Sequence, residues 1–208
     1  MSFKRIGECI RILNNRNKDL ATTNLLGVNI FKNFMPSVAN TSGLDLSKYK
    51  LIQNGQFATN LMHVNRDEVL PVALFQSNEI AIVSPAYTTF EVINENELLP
   101  EFLMMEFQRP EFDRRAWTYC DSSVRGGLDW NRFCDIKIPV PDIDEQRKYV
   151  ALYKGLLKNQ KTYLNSLGDL QLICNTYIEN LIKTEKLRFL GEYIAQSDER
   201  NTDLNIDN

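Results

Sequence analysis

The sequence IPVPDIDEQRKYV, residues 138–150, marks the junction between two different parts of the chain. Its β-branched and proline residues are typical of the end of a strand. Asp142 and Glu145 are typical of the first turn of a helix, where carboxylates meet the positive end of the helix dipole. No proline follows this stretch in the sequence. It therefore predicts a strand over residues 136–140 and one long helix over residues 142–187.

The predicted helix carries a stripe of side chains at alternating steps of four and three residues. Nine of the ten are apolar or aromatic, and the tenth is Gln160. A repeat of 3.5 residues predicts a left-handed coiled coil with a partner helix, in which one polar core residue fixes the register. A core helix of a bundle is the alternative, although the preceding residues offer no second long helix. The seam residues are Tyr149, Tyr153, Leu156, Gln160, Tyr163, Leu167, Leu170, Cys174, Tyr177 and Leu181.

Residues 1–141 predict a mixed α/β globule. Six short segments rich in β-branched and aromatic residues predict strands separated by turn formers such as Asn54-Gly55. Between Glu97 and Trp117, apolar residues recur at helical spacing, and Pro110 must break or restart that helix. The predicted fold class is α+β, a mixed globule followed by a long coiled-coil-forming helix. The predicted strands are residues 50–52, 56–59, 71–75, 80–83, 87–92 and 136–140.

The chain also repeats its own beginning. Residues 5–20 and 189–204 align without gaps at seven identical positions of sixteen, one of them pairing Arg16 with Arg200. An internal match of this strength predicts that residues 188–208 begin a second repeat unit. The chain is then one full unit, either a natural half or a piece of a longer two-unit protein.

Composition argues against several classes of protein. No apolar run is long enough to span a membrane, and four widely spaced cysteines indicate a reducing cytoplasm rather than a disulfide framework. One histidine, His63, excludes a multi-histidine metal site, so we expect no metal. Phosphate-binding loops and nucleophile elbows are missing from the sequence. Asp135-Ile136-Lys137 resembles the end of a nuclease motif, but its alternation fits a strand better. We therefore expect no catalytic residue.

A local DNA-binding surface is compatible with the net charge of −3, because acidic residues elsewhere can mask it. Arginines interleaved with aromatic residues over 109–132 offer cations for phosphates, although a solvated charged face explains them equally well. Polar residues in predicted loops offer groups that could read base edges. His63 is equally well explained as a hydrogen-bonded loop residue. The candidate DNA-binding residues are Lys32, Ser37, Asn40, Asn60, His63, Arg66, Tyr87, Arg114, Arg115 and Arg125.

Four ordered segments resemble the specificity (S) subunit of type I restriction–modification enzymes, and the match spans nearly the whole chain. No single motif is diagnostic, but the proline-ended strand that leads into a Glu-Gln helix is fairly specific. The internal repeat agrees, because this family alternates two target-recognition domains with two conserved helices. The segments are Arg16-Asn17 with Arg200-Asn201, YKLIQNGQF at 49–57 with Arg66-Asp67, Ser84-Pro85-Ala86-Tyr87 with Phe90, and Ile138–Pro141 with Glu145-Gln146-Arg147.

The resemblance implies a non-catalytic subunit that reads one half of a split target in double-stranded DNA. Residues 1–141 would be the target-recognition domain, and residues 142–187 the spacer helix that separates the two halves of the target. Modification subunits would dock on this frame and bind S-adenosylmethionine themselves, so this chain would bind no cofactor, and a motor and nuclease subunit can join. With one helix present, two copies would pair head to tail. A coiled-coil adaptor without DNA binding is the rival interpretation, and a standalone nuclease or methyltransferase is a second.

Overall fold

The computed structural model describes residues 2–37, 43–64, 68–120 and 127–184. The described part falls into two compact units, the first ending at Lys154 and the second beginning at Gly155. Its strands are β1 (Ser2–Arg5), β2 (Ile10–Leu13), β3 (Leu25–Val28), β4 (Phe34–Pro36), β5 (Lys50–Ile52), β6 (Gln56–Thr59), β7 (Val72–Leu74), β8 (Ala81–Val83), β9 (Thr88–Val92) and β10 (Lys137–Val140). Its α-helices are α1 (Ile6–Cys9), α2 (Pro100–Phe107), α3 (Pro110–Thr118), α4 (Trp130–Asp135) and α5 (Ile143–Thr184), with 3₁₀ turns at Leu46–Lys48 and Leu61–His63.

The first unit contains three sheets. Two have four strands each, in the orders β2-β9-β6-β7 and β4-β3-β8-β5, and the third is the pair β1-β10. All strand pairs are antiparallel except β3 with β8, which is parallel. In the pair β1-β10, Ser2 lies opposite Val140 and Arg5 lies opposite Lys137. Strand β1 therefore pairs with the strand that precedes the long helix.

The larger core is aromatic and lies between the β2-β9-β6-β7 sheet and the helices. Phe57 and Phe90 stack with ring centroids 4.9 Å apart, and Phe107 meets both rings edge-on. Phe112 and Phe133 complete the cluster, and all five side chains are fully buried. Burying a Phe side chain contributes about 1.5–3 kcal/mol. This cluster therefore forms the centre of the larger core.

Proline begins two consecutive helices. The sequence predicts one helix from Glu97 to Trp117 that Pro110 breaks or restarts, and the structure contains α2 and α3, each with a proline in its first turn. A proline is tolerated there because its missing N–H has no intrahelical acceptor. The break is therefore confirmed, while α2 begins at Pro100, three residues after the predicted start.

The long helix is present as α5, with 42 residues. It follows β10 directly, so the α+β fold class is confirmed. Gln146 and Val150, in its first two turns, are buried in the first unit. The predicted domain boundary at 141 precedes this helix, whereas the first unit extends to Lys154 and so includes its first twelve residues. Among the described helices, none has the length and apolar character needed to cross a membrane.

Gln146 explains why the first turns of α5 belong to the first unit. Its side-chain amide oxygen accepts the N–H of Leu99 at 2.9 Å. Its amide nitrogen donates to the carbonyls of Glu97 at 2.8 Å and Pro141 at 2.9 Å. The side chain is completely buried, so these bonds replace water for three backbone groups. One residue therefore joins α5 to the segments that precede α2 and follow β10.

Candidate nucleic-acid interface

Lys32, a candidate from the sequence, is buried, with 6% of its side chain exposed. Its ammonium donates to both oxygens of Asp113, at 2.7 and 2.8 Å, and to the carbonyl of Phe107. Burial lowers the pKa of this ammonium, and the hydrogen bond to Asp113 opposes that shift. An ammonium held in this way does not reach a DNA phosphate. Lys32 is therefore removed from the candidate surface, and its role is to hold the fold together.

The buried lysine fixes a tight turn between β3 and β4. Lys32 has a φ of 61°, a left-handed conformation that costs a residue other than glycine about 1–3 kcal/mol. Its N–H donates to the carbonyl of Asn29, and the N–H of Asn29 donates to the carbonyl of Asn33, both at 3.0 Å. The turn leaves Ile30 and Phe31 exposed, Phe31 by 76%. The sequence does not single out these residues, since two apolar residues in a loop carry no distinct pattern.

The ion pair connects that turn to α3, which carries two further candidates. Arg114 follows Asp113, and its side chain is 75% exposed, with an ion pair at 3.2 Å to the exposed Glu111. Arg115 is half-buried, donating to the carbonyl of Lys137 at 2.8 Å and to the buried Glu106 at 3.2 Å. Arg114 is therefore available to a phosphate, whereas Arg115 also supports the fold.

Three other candidates are half-buried and have structural partners. The Asn60 side chain accepts the N–H of Met62 and so begins the second 3₁₀ turn. The Tyr87 hydroxyl accepts the N–H of Val28 at 3.1 Å and so holds strand β3. Ser37 follows β4, and its N–H donates to the carbonyl of Leu25. The hydroxyl of Tyr87 retains its own proton for a further partner.

The remaining DNA candidates are not placed by the structure. The backbone of His63 lies in the second 3₁₀ turn, but its side chain is outside the description. Asn40, Arg66, Arg125 and the repeat over 188–208 all fall outside the described residues. Their predicted roles therefore remain predictions.

The predicted seam of α5 is exposed over most of its length. Tyr149 packs near Phe102, with ring centroids 6.4 Å apart, and the Tyr153 hydroxyl donates to Gln108 at 2.7 Å. The described residues from Gly155 to Thr184 are all exposed. The exposed seam side chains in that range include Leu156, Gln160, Tyr163, Leu167, Leu170, Cys174, Tyr177 and Leu181. An apolar stripe this long is typical of a surface that a partner covers.

Two cations that the sequence analysis did not combine lie opposite one another. Arg16 and Lys50 form an isolated antiparallel bridge at the edge of β5. The Arg16 Nη1 donates to the carbonyl of Lys48 at 3.1 Å, and the Lys50 Nζ donates to the carbonyl of Tyr87 at 2.6 Å. Only the pairing of segments 34 positions apart brings these charges together, so no local sequence signal indicated the pair.

Neither a protein-family model nor a curated protein matches this chain. Among solved structures, the chain is similar to the HsdS subunit from Thermoanaerobacter tengcongensis, with 18% identity and a TM-score of 0.55. That match covers 88% of this chain and 47% of the HsdS chain. A structure of a type I R-M system matches at 13% identity over 86% of this chain and 43% of the other, with a TM-score of 0.48.

The Type-I restriction-modification system S subunit from M. genitalium matches at 14% identity over 90% of this chain and 46% of the other, with a TM-score of 0.47. The chain thus spans about half the length of the solved structures it matches. The resemblance seen in the sequence is confirmed at the level of the fold, which is that of the HsdS subunit.

Proposed function

We propose that this protein is a sequence-specific DNA-recognition subunit of a type I restriction–modification enzyme. The observation that carries the proposal is the likeness of fold to an HsdS subunit over 88% of the chain. Fold alone is compatible with many functions. The proposal therefore also uses the ordered motifs of the sequence and the exposed cation Arg114 on α3.

In this proposal the first unit reads one half of a split target. Exposed arginine at the surface supplies contacts to phosphate, and polar side chains supply contacts to base edges. Arg114 and Tyr87 are among the described candidates with groups left to offer, and Asn40, His63, Arg66 and Arg125 stay as predictions. The net charge of −3 suits a modest phosphate footprint, in which partner subunits supply much of the affinity.

The long helix is proposed to pair with the same helix of a second copy, head to tail. The apolar stripe from Leu156 to Leu181 is exposed in the single chain, and a 3.5-residue repeat is suited to a partner helix. Two copies related by a twofold axis would present two identical reading units. The target would then be an interrupted palindrome.

Catalysis is proposed to lie in partner subunits. Modification subunits would dock on the pair of chains and methylate adenine with S-adenosylmethionine that they bind themselves. A motor and nuclease subunit can join this assembly. This chain would contribute recognition and spacing, without a cofactor or a catalytic residue of its own, and the assembly would work in the cytoplasm.

The test is the methylation pattern of DNA in cells that express this chain together with the modification subunit encoded beside it. We expect N6-methyladenine in an interrupted palindromic motif. Arg114→Glu should abolish or weaken methylation at the motif, while Lys137→Glu, which changes another exposed cation of the first unit, should leave it intact. Two soluble, associated proteins without a methylated motif would contradict the proposal and favour the coiled-coil adaptor.

A further inference from the structure

Arg16 and Lys50 face each other at close range. The N–H of Asn17 donates to the carbonyl of Tyr49, and the N–H of Leu51 donates to the carbonyl of Asn15. These bonds flank the bridge and make Arg16 and Lys50 a non-hydrogen-bonded antiparallel pair. In such pairs the Cα atoms are about 4.5 Å apart and both side chains extend from the same face. The Arg16 and Lys50 side chains therefore start from adjacent positions on one face.

Like charges at opposite positions destabilise a pair of strands. Among the described residues, no carboxylate forms an ion pair with Arg16 or Lys50. The nearby Asp45 carboxylate is taken by Ser47 and Lys48. Burial, and then the charge of Arg16, lower the pKa of the Lys50 ammonium. No carboxylate among the described residues therefore offsets the repulsion between these two cations.

Backbone carbonyls hold both cations in place. The Arg16 guanidinium uses one nitrogen for the carbonyl of Lys48 and retains its other donors. The Lys50 ammonium uses one of its three hydrogens for the carbonyl of Tyr87. Both groups are thus positioned, and each retains hydrogens to donate to a further acceptor. A tetrahedral anion with several oxygens meets that requirement.

We propose that Arg16 and Lys50 form a binding site for one phosphodiester group of the DNA backbone. This inference rests on the proposed function and extends it to residues outside the predicted reading set. A phosphate held here fixes the register of the duplex without reading sequence. Because Lys50 is bonded to the carbonyl of Tyr87, the contact lies beside a candidate reader and positions the DNA for it.

The first experiment uses inorganic phosphate as the probe and thermal unfolding of the full chain as the readout. Phosphate should raise the melting temperature more than chloride does at equal ionic strength. The extra rise should be lost in Arg16→Gln/Lys50→Gln and kept in the control Lys137→Gln. An equal rise in all three proteins would overturn the site, since phosphate also stabilises proteins by exclusion from their surface.

The second experiment measures binding of the full chain to a DNA duplex of arbitrary sequence between about 50 and 200 mM salt. Loss of one phosphate contact should make the slope of log K against log salt less negative by about 0.9. It should also weaken the affinity by about eightfold near 0.1 M salt. Arg16→Gln/Lys50→Gln should show both changes. Arg16→Lys, which keeps the charge but not the guanidinium, should keep the slope, and Lys137→Gln should match the wild type.

The outcomes separate this inference from the proposed function. If the palindromic methylation is found and the double variant keeps the wild-type salt slope, the phosphate site is wrong and the proposed function stands. If inorganic phosphate binds but the salt slope does not change, the site takes a free anion and the assignment to DNA is overturned. If the wild type neither binds DNA nor directs methylation, the phosphate site and the proposed function are both wrong.

Discussion

Lys32 and Asp113 form an ion pair in which the lysine Nζ lies 2.7 Å from the aspartate Oδ1, across 81 positions of sequence. Both side chains are largely withdrawn from solvent. The same carboxylate oxygen accepts the N–H of Leu70 at 2.9 Å. Three separate segments thus meet at one carboxylate, and the turn that presents Phe31 is fixed to α3.

Replacing Lys32 with methionine should destabilise the protein by about 3 kcal/mol, because Asp113 would remain buried without its counter-charge. Chemical denaturation measures this loss. Arg114→Gln, on the same helix but exposed, should leave the free energy of unfolding nearly unchanged. If Lys32→Met were as stable as the wild type, the pair would not hold the fold.

Replacing Gln146 with leucine should lower the free energy of unfolding by about 2–3 kcal/mol, because one backbone N–H and two carbonyls would lose the partner that the buried amide gives them. The exposed neighbour Lys148 provides the control, as Lys148→Gln removes no described hydrogen bond. Urea unfolding of both variants measures the difference. Equal midpoints for Gln146→Leu and Lys148→Gln would show that water replaces the amide without loss.

Leu167→Glu should convert the proposed dimer to a monomer, since a carboxylate would have to be buried in the seam without a partner. Light scattering should report half the wild-type mass. Asn165→Glu, two positions away and off the stripe, adds the same charge and should remain dimeric. An unchanged mass for Leu167→Glu would refute pairing through this helix.

The cysteines should differ in reactivity toward an alkylating agent at neutral pH. Burial raises the pKa of the Cys9 and Cys134 thiols, so a smaller fraction of each is thiolate and labelling is slow. Cys174 is exposed on the seam of the single chain. It should label fastest in Leu167→Glu and more slowly in the wild type, where the partner helix would cover it. Mass spectrometry of the peptides measures the extent of labelling at each cysteine. In urea, which unfolds the protein, all the cysteines should label at similar rates.

The elements with local signals were predictable. All six strands expected from short apolar segments are present, and the helix after Pro141 begins where the acidic residues indicate. Strands β1 to β4 were not predicted. Strands β1 and β2 pair with the distant strands β10 and β9, whereas β3 and β4 pair with each other across the turn at Lys32. Strand β1, for example, is mostly exposed and is a strand through its pairing with β10.

The site was less predictable than the fold. Lys32 stands in a predicted loop of the sequence, so its charge indicated a surface contact. Its burial depends on Asp113, which is supplied by a helix much later in the chain. Arg16 and Lys50 become one feature only through a bridge between distant segments. Spacing along the chain carries no signal for either relationship.

Ser2 lies opposite Val140, so the two ends of the stretch from β1 to β10 lie side by side. A segment whose two ends lie close together can be replaced by another segment, because the replacement has to match the rest of the protein at a single location. Strands β1 and β10 close this stretch, and the Ser2 hydroxyl also donates to the carbonyl of Val140. A chimaera that keeps both strands together with residues 97–99, whose backbone bonds Gln146, would preserve the attachment of the long helix.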